Sequence, residues 1–389
     1  IPNPVDALFE TVSGFTTTGA SILPEVESLP KGILFWRSFT HCIGGMGVLV
    51  FLLSLLPLTG GSHVNLMKAE SPGPQVDKLV PKVQSTAKIL YGIYLALTLL
   101  ELVFLLAGGM PLFEAMLTSF GTAGTGGFGN WNNSIAHYDS AYLQNVISVF
   151  MILFGINFNA YFLLLTRKFK QLFKIEEIRV YLGVIAVFTT LIAFNVRGCF
   201  GSLRESFHHS LFQVASIITT TGFSTVDFNQ WPAFSKLLLV LLMFIGACAG
   251  STGGGMKCSR ILLLFKGVKK EMMSLIHPRL VRVHKMDGQR VQHEVMRSVN
   301  AFLVAYLIVI ATSILIVSLH CEDMVTSFTS VVTCINNVGP GLNQVGPAAN
   351  FGALHPLSKI VLTFDMLAGR LELFPMLLLF APETWRRNR

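Results

Sequence analysis

Four times in this chain a short apolar segment runs into a glycine-containing loop and is followed by a long apolar stretch. Thr-Thr-Thr-Gly stands at 16–19 and again at 219–222, after the matching segments ALFETVS (7–13) and SLFQVAS (210–216). A third copy runs from Met116 to Phe120 and leads to Gly124-Thr125-Gly126-Gly127, and a fourth runs from Ser327 to Thr333 and leads to Asn336-Asn337-Val338-Gly339-Pro340. The aligned glycines Gly19, Gly127, Gly222 and Gly339 lie about one hundred residues apart, too long a period for a solenoid but suited to a unit with two membrane helices. Each preceding segment is too short to cross a bilayer, which takes roughly 20 apolar residues. It reads as a re-entrant half-helix.

Composition supports a bilayer setting, since 52% of the 389 residues are hydrophobic and only 13% charged, too apolar for a soluble protein of this size. Spans are expected at Ile89–Leu106, Val146–Leu165, Tyr181–Val196 with its flanks, and Ala301–Leu319. Long helices are expected after the loops at Ile33–Leu58, Tyr142–Leu165, Phe234–Phe265 and Leu357–Ala381. The predicted fold is an all-α polytopic membrane protein of four pseudo-repeats, each a helix, a re-entrant pore half-helix, a filter loop and a second helix, around one pore. Repeat boundaries are placed at 1–60, 61–170, 171–285 and 286–389, with an intramembrane glycine loop at 246–255. The first repeat lacks its opening helix. An upstream segment is expected, because Ile1-Pro2-Asn3-Pro4 has neither an initiator Met nor a basic n-region.

Net charge is +8, and in a membrane chain the location of the charges decides orientation, because basic loops stay cytoplasmic. Lys68, Lys78, Lys82 and Lys88, then Arg167–Lys174 and Lys266–Lys285 fall between repeats, and Trp385–Arg389 closes the chain. They define a cytoplasmic side, the loops face outward, and no nucleic-acid partner is implied. The cysteines at 42, 199, 248, 258, 321 and 334 form no CxxC pair and are expected to be ordinary buried thiols.

Irregular backbone at membrane depth is tolerated only where it is buried in protein or lines a wet cavity. Four such loops around one axis can replace the hydration shell of an alkali cation with carbonyl oxygens. The expected ion-binding set is Thr17, Thr18 and Gly19; Thr125, Gly126 and Gly127; Thr220, Thr221 and Gly222; and Asn337, Val338 and Gly339. Glycine supplies positive φ there, and the half-helix C-termini present partial negative charge to a cation. The fourth loop has lost its threonines and carries Pro340, so the chemistry is not fourfold symmetric.

The helix from Phe234 is interrupted by Gly246-Ala247-Cys248-Ala249-Gly250-Ser251-Thr252-Gly253-Gly254-Gly255. Each interior glycine costs a helix about 1 kcal/mol against alanine, which favours an unwound stretch lining the pathway as a gate. Close helix packing through small residues is the alternative. Arg370 lies in the last apolar segment, where an intramembrane charge marks a functional site. Its expected partners are the freed carbonyls of the 250–255 loop, or else Glu372 or Asp365. Lys257 is expected to snorkel toward the cytoplasm, and Arg37 to be an interfacial anchor.

These residues resemble the Trk/Ktr/HKT superfamily of potassium transporters, most closely its TrkH branch, over essentially the whole chain. Besides the four loops, the resemblance takes in Phe35-Trp36-Arg37-Ser38, Gly44-Gly45-Met46-Gly47, Ala69-Glu70-Ser71-Pro72-Gly73-Pro74, Gly250–Gly255 and Gly369-Arg370-Leu371-Glu372. It implies K+ uptake through a gated, channel-like pore in the cytoplasmic (inner) membrane of a bacterium. K+ is then the transported ion at the filter carbonyls, and no cofactor is bound by the chain. The resemblance further implies a homodimer, a cytosolic ring of nucleotide-binding RCK (TrkA-like) subunits that controls opening, and a gating role for Arg370. Sodium-permeable members carry serine at the first filter glycine. Gly19 therefore favours potassium.

An enzyme is not indicated: there is no HExxH, GxSxG or phosphate-binding glycine loop, and His208 and His209 are adjacent and so face different sides of a helix. An H+- or Na+-coupled potassium symporter is the alternative. Its candidate groups are Glu101, Asp365 and Glu372. A receptor that has lost transport fits poorly with four retained loop glycines.

Overall fold

A computed structural model describes residues 1–47, 83–277 and 285–382. Outside the described residues lie the end of the Ile33–Leu58 stretch, Lys68, Lys78 and Lys82, the Ala69–Pro74 run, the 60/61 boundary, residues 278–284 and Trp385–Arg389. The chain opens on the half-helix α1 (Pro4–Phe15), capped by Asn3, whose Oδ1 accepts from Val5 N, and continues through α2 (Lys31–Met46). The second unit is α3 (Val83–Ala107), the half-helix α4 (Leu112–Gly124), α5 (Ala141–Phe154) and α6 (Phe158–Leu165). After one helical turn at Phe169–Leu172 come α7 (Glu176–Asn195), the half-helix α8 (Leu203–Ile218), α9 (Ala233–Ile245) and α10 (Cys258–Ile276). A two-stranded hairpin, β1 (Lys285–Met286) with β2 (Gln289–Arg290), precedes α11 (His293–Ser318). The last unit continues with the half-helix α12 (Met324–Ile335), α13 (Pro356–Arg370) and α14 (Leu373–Leu378).

By length and composition α7, α11 and residues Ala87–Ala107 of α3 can each cross a membrane. These are the opening helices of the second, third and fourth units, at the expected places. Many of their large apolar residues are exposed, among them Leu99, Val103, Phe194 and Leu315. A soluble protein would hide such rows, so they are the lipid-facing surface of a multi-pass membrane protein.

Each closing helix packs on the half-helix of the next unit: α2 on α4, α5 on α8, α9 on α12 and α13 on α1. The fourth contact returns to the first unit, so the repeats close into a ring. Three apolar clusters, around Tyr181 and Leu239, around Phe9 and Met366, and around Ile147 and Phe212, fill the spaces between neighbouring units.

The closing helices are not the continuous spans expected. Val146–Leu165 is two helices bent by 91°, Leu357–Ala381 breaks after Arg370 with Glu372 at φ 69°, and α2 stops at Met46 with Gly47 at φ 81°. The break after Ile245 carries a strong sequence signal, and Gly44, Gly45 and Gly47 stand at the end of α2. The others occur where a backbone left unsatisfied by helix finds partners on another unit. Phe158 N, for example, donates to Gly250 O at 2.9 Å, and Cys248 N to Gly155 O at 3.0 Å.

The basic stretches after the second and third units share one face: Lys266 of α10 pairs with Glu176 at the start of α7, and Glu176 N donates to Asp287 of the hairpin at 2.6 Å. Among the cysteines, Cys42, Cys248, Cys258 and Cys334 are buried as expected, but Cys199 is exposed in the turn after α7.

Candidate ion pathway and its glycine loop

All four half-helices end in the same hydrogen-bonded cap. Thr17 N donates to Gly14 O and Thr18 N to Ser13 O, and the pairs Thr125/Gly126, Thr220/Thr221 and Asn337/Val338 repeat both bonds on α4, α8 and α12. This is a Schellman cap, whose C′ residue is left-handed and usually glycine. Here that position holds Thr17 (φ 56°), Thr125 (52°), Thr220 (59°) and Asn337 (55°). Non-glycine residues there cost free energy and persist only where the surroundings hold them. Two residues on, Gly19, Gly127, Gly222 and Gly339 also have positive φ, as expected from sequence. The strain on the preceding Thr or Asn was not.

The loops then meet in chain order. A Cβ built on Gly19 would overlap the carbonyl oxygen of Gly126, one on Gly127 that of Thr221, and one on Gly222 that of Val338. One on Gly339 would lie 2.8 Å from the carbonyl oxygen of Thr18. Each glycine therefore faces a carbonyl of the neighbouring loop, and none has room for a side chain. The four glycines line the floor of a cavity of about 130 Å³, whose wall includes Arg37, Phe128 and Asn132.

Hydroxyls that the sequence offered to an ion serve the scaffold in part. Thr18 and Thr221 bond back to Thr16 and Thr219, each at 2.8 Å. Asn337 Nδ2 donates to Thr18 Oγ1 and to Met366 O, both at 2.9 Å, which ties the divergent fourth loop to the first.

Arg37 is not an interfacial anchor. It is 7% exposed, donates to Glu10 through Nε at 3.0 Å and Nη2 at 2.8 Å, and lies 4.2 Å from the Phe128 ring. Glu10 also accepts from Ile22 N at 2.9 Å, so the pair fixes the chain leaving the first loop. Removing one partner of a buried pair strands the other charge. Glu10→Gln should therefore cost stability by about 3–5 kcal/mol, and Glu10→Gln with Arg37→Met should recover much of it in detergent thermal unfolding. A single variant as stable as the parent would contradict this.

Beneath the ring lies the stretch between α9 and α10. Gly246, Gly250 and Gly255 have positive φ, and the segment packs against three units. Gly254 N donates to Thr220 Oγ1 at 2.6 Å, a Cβ on Gly254 would lie 2.6 Å from Asn336 O, and one on Gly253 3.0 Å from Thr219 O. Thr252 Oγ1 donates to Phe154 O at 3.2 Å, and Ser251 Oγ to Cys248 O at 2.6 Å. The loop thus lies directly against the ends of the third and fourth half-helices.

Arg370 joins this loop to the first unit. Its Nη1 donates to Thr252 O at 2.8 Å, and Nη2 to Gly44 O at 2.5 Å and Gly45 O at 2.7 Å. One expected partner class, the loop carbonyls, is present. The α2 carbonyls were not anticipated. Glu372 pairs with Arg260 at 2.6 Å, and Asp365 accepts from Ser313 at 2.8 Å. Lys257 does not snorkel: it is 1% exposed and its Nζ donates to Gly253 O, because the ammonium lies within reach of carbonyls that the unwound loop has freed. Sequence reasoning also passed over Glu177, 3% exposed, whose Oε1 accepts from Ala249 N at 2.7 Å and Ser259 N at 2.9 Å. Its only signal was an acidic pair opening an apolar span, which reads equally as a helix N-terminus.

A ring of half-helix ends inside a closed bundle of spanning helices defines a membrane transport protein rather than an enzyme. The chain belongs to the TrkH family of cation transport proteins, whose family model matches residues 2–387. It is 40% identical over 386 residues to the Trk system potassium uptake protein TrkH of Salmonella typhimurium, covering 98% of this chain and 79% of that protein. The Trk system potassium uptake protein TrkG of Escherichia coli is 38% identical over 388 residues, with the same 98% and 79% coverage. The crystal structure of the potassium transporter TrkH from Vibrio parahaemolyticus superposes with a TM-score of 0.86 at 35% identity, over 98% of this chain and 79% of that one.

Proposed function

We propose that this chain takes up K+ across the cytoplasmic membrane of a bacterium through the ring of four loops, and that the 246–255 loop is the gate beneath it. The observation that carries the reading is the ring itself: one carbonyl from each of four equivalent loops faces the glycine of its neighbour. Within each loop a left-handed residue, a residue of negative φ and a positive-φ glycine follow one another. Alternating handedness gathers successive N–H groups on one side of a strand and carbonyls on the other, the arrangement a dehydrated cation needs. The names of its relatives, potassium uptake proteins of Trk systems, support K+ as the ion.

The gate reading rests on the bonds joining the loop to Thr220, Phe154 and Arg370. A cytosolic RCK ring acting on the basic face, and a second copy of the chain forming a dimer, complete the proposal. Shortening 250–255 tests it. Rb+ flux into vesicles should become faster and independent of regulation; flux and regulation both unchanged would reject the gate.

A further inference from the structure

A second cavity, of about 440 Å³, opens behind the glycine loop between α6, α7, α10 and the β1–β2 hairpin. One of its walls is Glu177, the carboxylate that accepts from Ala249 N inside the loop and from Ser259 N in the first turn of α10 that follows it. Both of those bonds fall on Oε1, while a carboxylate offers about four acceptor sites on its two oxygens. Asp287, on the hairpin turn, also lines the cavity, and its Oδ1 holds Glu176 N. Asn157, Gln171 and Gln289 add amide groups, and Lys174 is the one basic side chain among the described lining residues. Lys174 is exposed. Leu163, Leu263 and Val295 supply apolar wall.

Glu177 and Asp287 face the exposed Lys174 across the cavity, while of the cations nearby Lys266 is paired with Glu176, Lys257 is held by the Gly253 carbonyl and Arg179 is exposed; that balance disfavours an anion. A bare alkali ion would fill little of the volume and leave the apolar wall unused. Pockets that hold small organic ligands start at roughly 300 Å³ and combine apolar lining with a few placed polar groups. We propose that this cavity binds a small protonated aliphatic amine, held through Glu177 and Asp287, and that occupancy loosens the glycine loop. An ammonium on Glu177 Oε2 draws the carboxylate's charge and the carboxylate itself toward the cavity, away from the amides of Ala249 and Ser259 on Oε1. The bonds that tie the loop and the start of α10 to one carboxylate weaken together. This rests on the reading of the loop as the gate.

The test pairs binding with flux. Calorimetric titration of 1,4-diaminobutane into the detergent-purified protein should show saturable binding, at least tenfold tighter than the neutral isostere 1,4-butanediol. Affinity should fall at least tenfold in Asp287→Asn and in Glu177→Gln. Asp287 sits on an exposed turn away from the ring, so its variant remains informative if Glu177→Gln fails to fold. In vesicles the amine, added on the side of the basic face, should raise Rb+ flux severalfold in the parent and not in Asp287→Asn. Binding no tighter than butanediol, equal affinity in Asp287→Asn, or flux that stays level or falls on amine addition would each overturn the inference. Deregulated flux on shortening 250–255 together with no amine binding to the parent sinks this inference alone, whereas flux and regulation both unchanged by that deletion sink the gate reading, which the calorimetry does not touch.

Discussion

Replacing Gly127 by alanine is expected to reduce Rb+ flux into vesicles by about two orders of magnitude while the protein still purifies as a folded species. Two independent penalties act at that position. The backbone has φ 76°, where a Cβ costs roughly 1–2 kcal/mol, and the added methyl would overlap the Thr221 carbonyl oxygen. A carbonyl fixed by the cap of α8 cannot give way as a flexible side chain would, so the ring must distort. Each 1.4 kcal/mol on a barrier to passage is a factor of about ten in rate, so a distortion worth about 3 kcal/mol suffices. Gly92→Ala and Gly183→Ala are the controls, because a Cβ at either site meets nothing within 4 Å. Flux retained in Gly127→Ala, or lost equally in the controls, would remove the ring from the pathway.

Arg370→Gln should produce the second large effect, in the opposite direction: a rise of at least about tenfold in Rb+ flux, no longer responsive to regulation. The guanidinium bridges Thr252 of the loop to Gly44 and Gly45 at the end of α2. A buried acceptor deprived of its donor costs about 1–3 kcal/mol; Thr252 O and Gly45 O lose the guanidinium together, and Gly44 O keeps its bond from Gly47 N. The state in which they are aligned on one another loses its advantage over an open one. Arg370→Lys should not restore closure, since a compact ammonium lacks the planar fork that reaches separated acceptors. If Arg370→Gln left flux and regulation as in the parent, the arginine would be a structural tie and not part of the gate.

Much of this site was legible in the chain because repetition is a sequence property. Gly19, Gly127, Gly222 and Gly339 align by their neighbours alone, and the requirement they meet, a backbone without Cβ at positive φ, is local. The interruption at 246–255 was equally local, since four glycines within 250–255 cannot favour helix. The break at Gly155–Asn157 was hidden because its stability comes from Gly250 and Cys248, more than ninety positions away. Arg37 and Lys257 were misread for a related reason. A cation near a helix end is ordinarily satisfied by water or headgroups; nothing beside Arg37 in the sequence announces that Glu10 will reach it, and the Gly253 carbonyl, although four residues from Lys257, faces it only because of how the loop is unwound.

The sequence by itself determined the four-part plan, the membrane setting and the positions of the four loops, because hydrophobic length and glycine placement act over a few residues at a time. The tertiary structure alone decided that the loops close on one another in chain order. It also decided that strained Thr17, Thr125, Thr220 and Asn337 carry the caps, and that Arg370 and Glu177 fasten the glycine loop from different units. Those features depend on which backbone groups remain unpaired when helices stop short. In a medium without water each such group must find a partner wherever the fold brings one within reach.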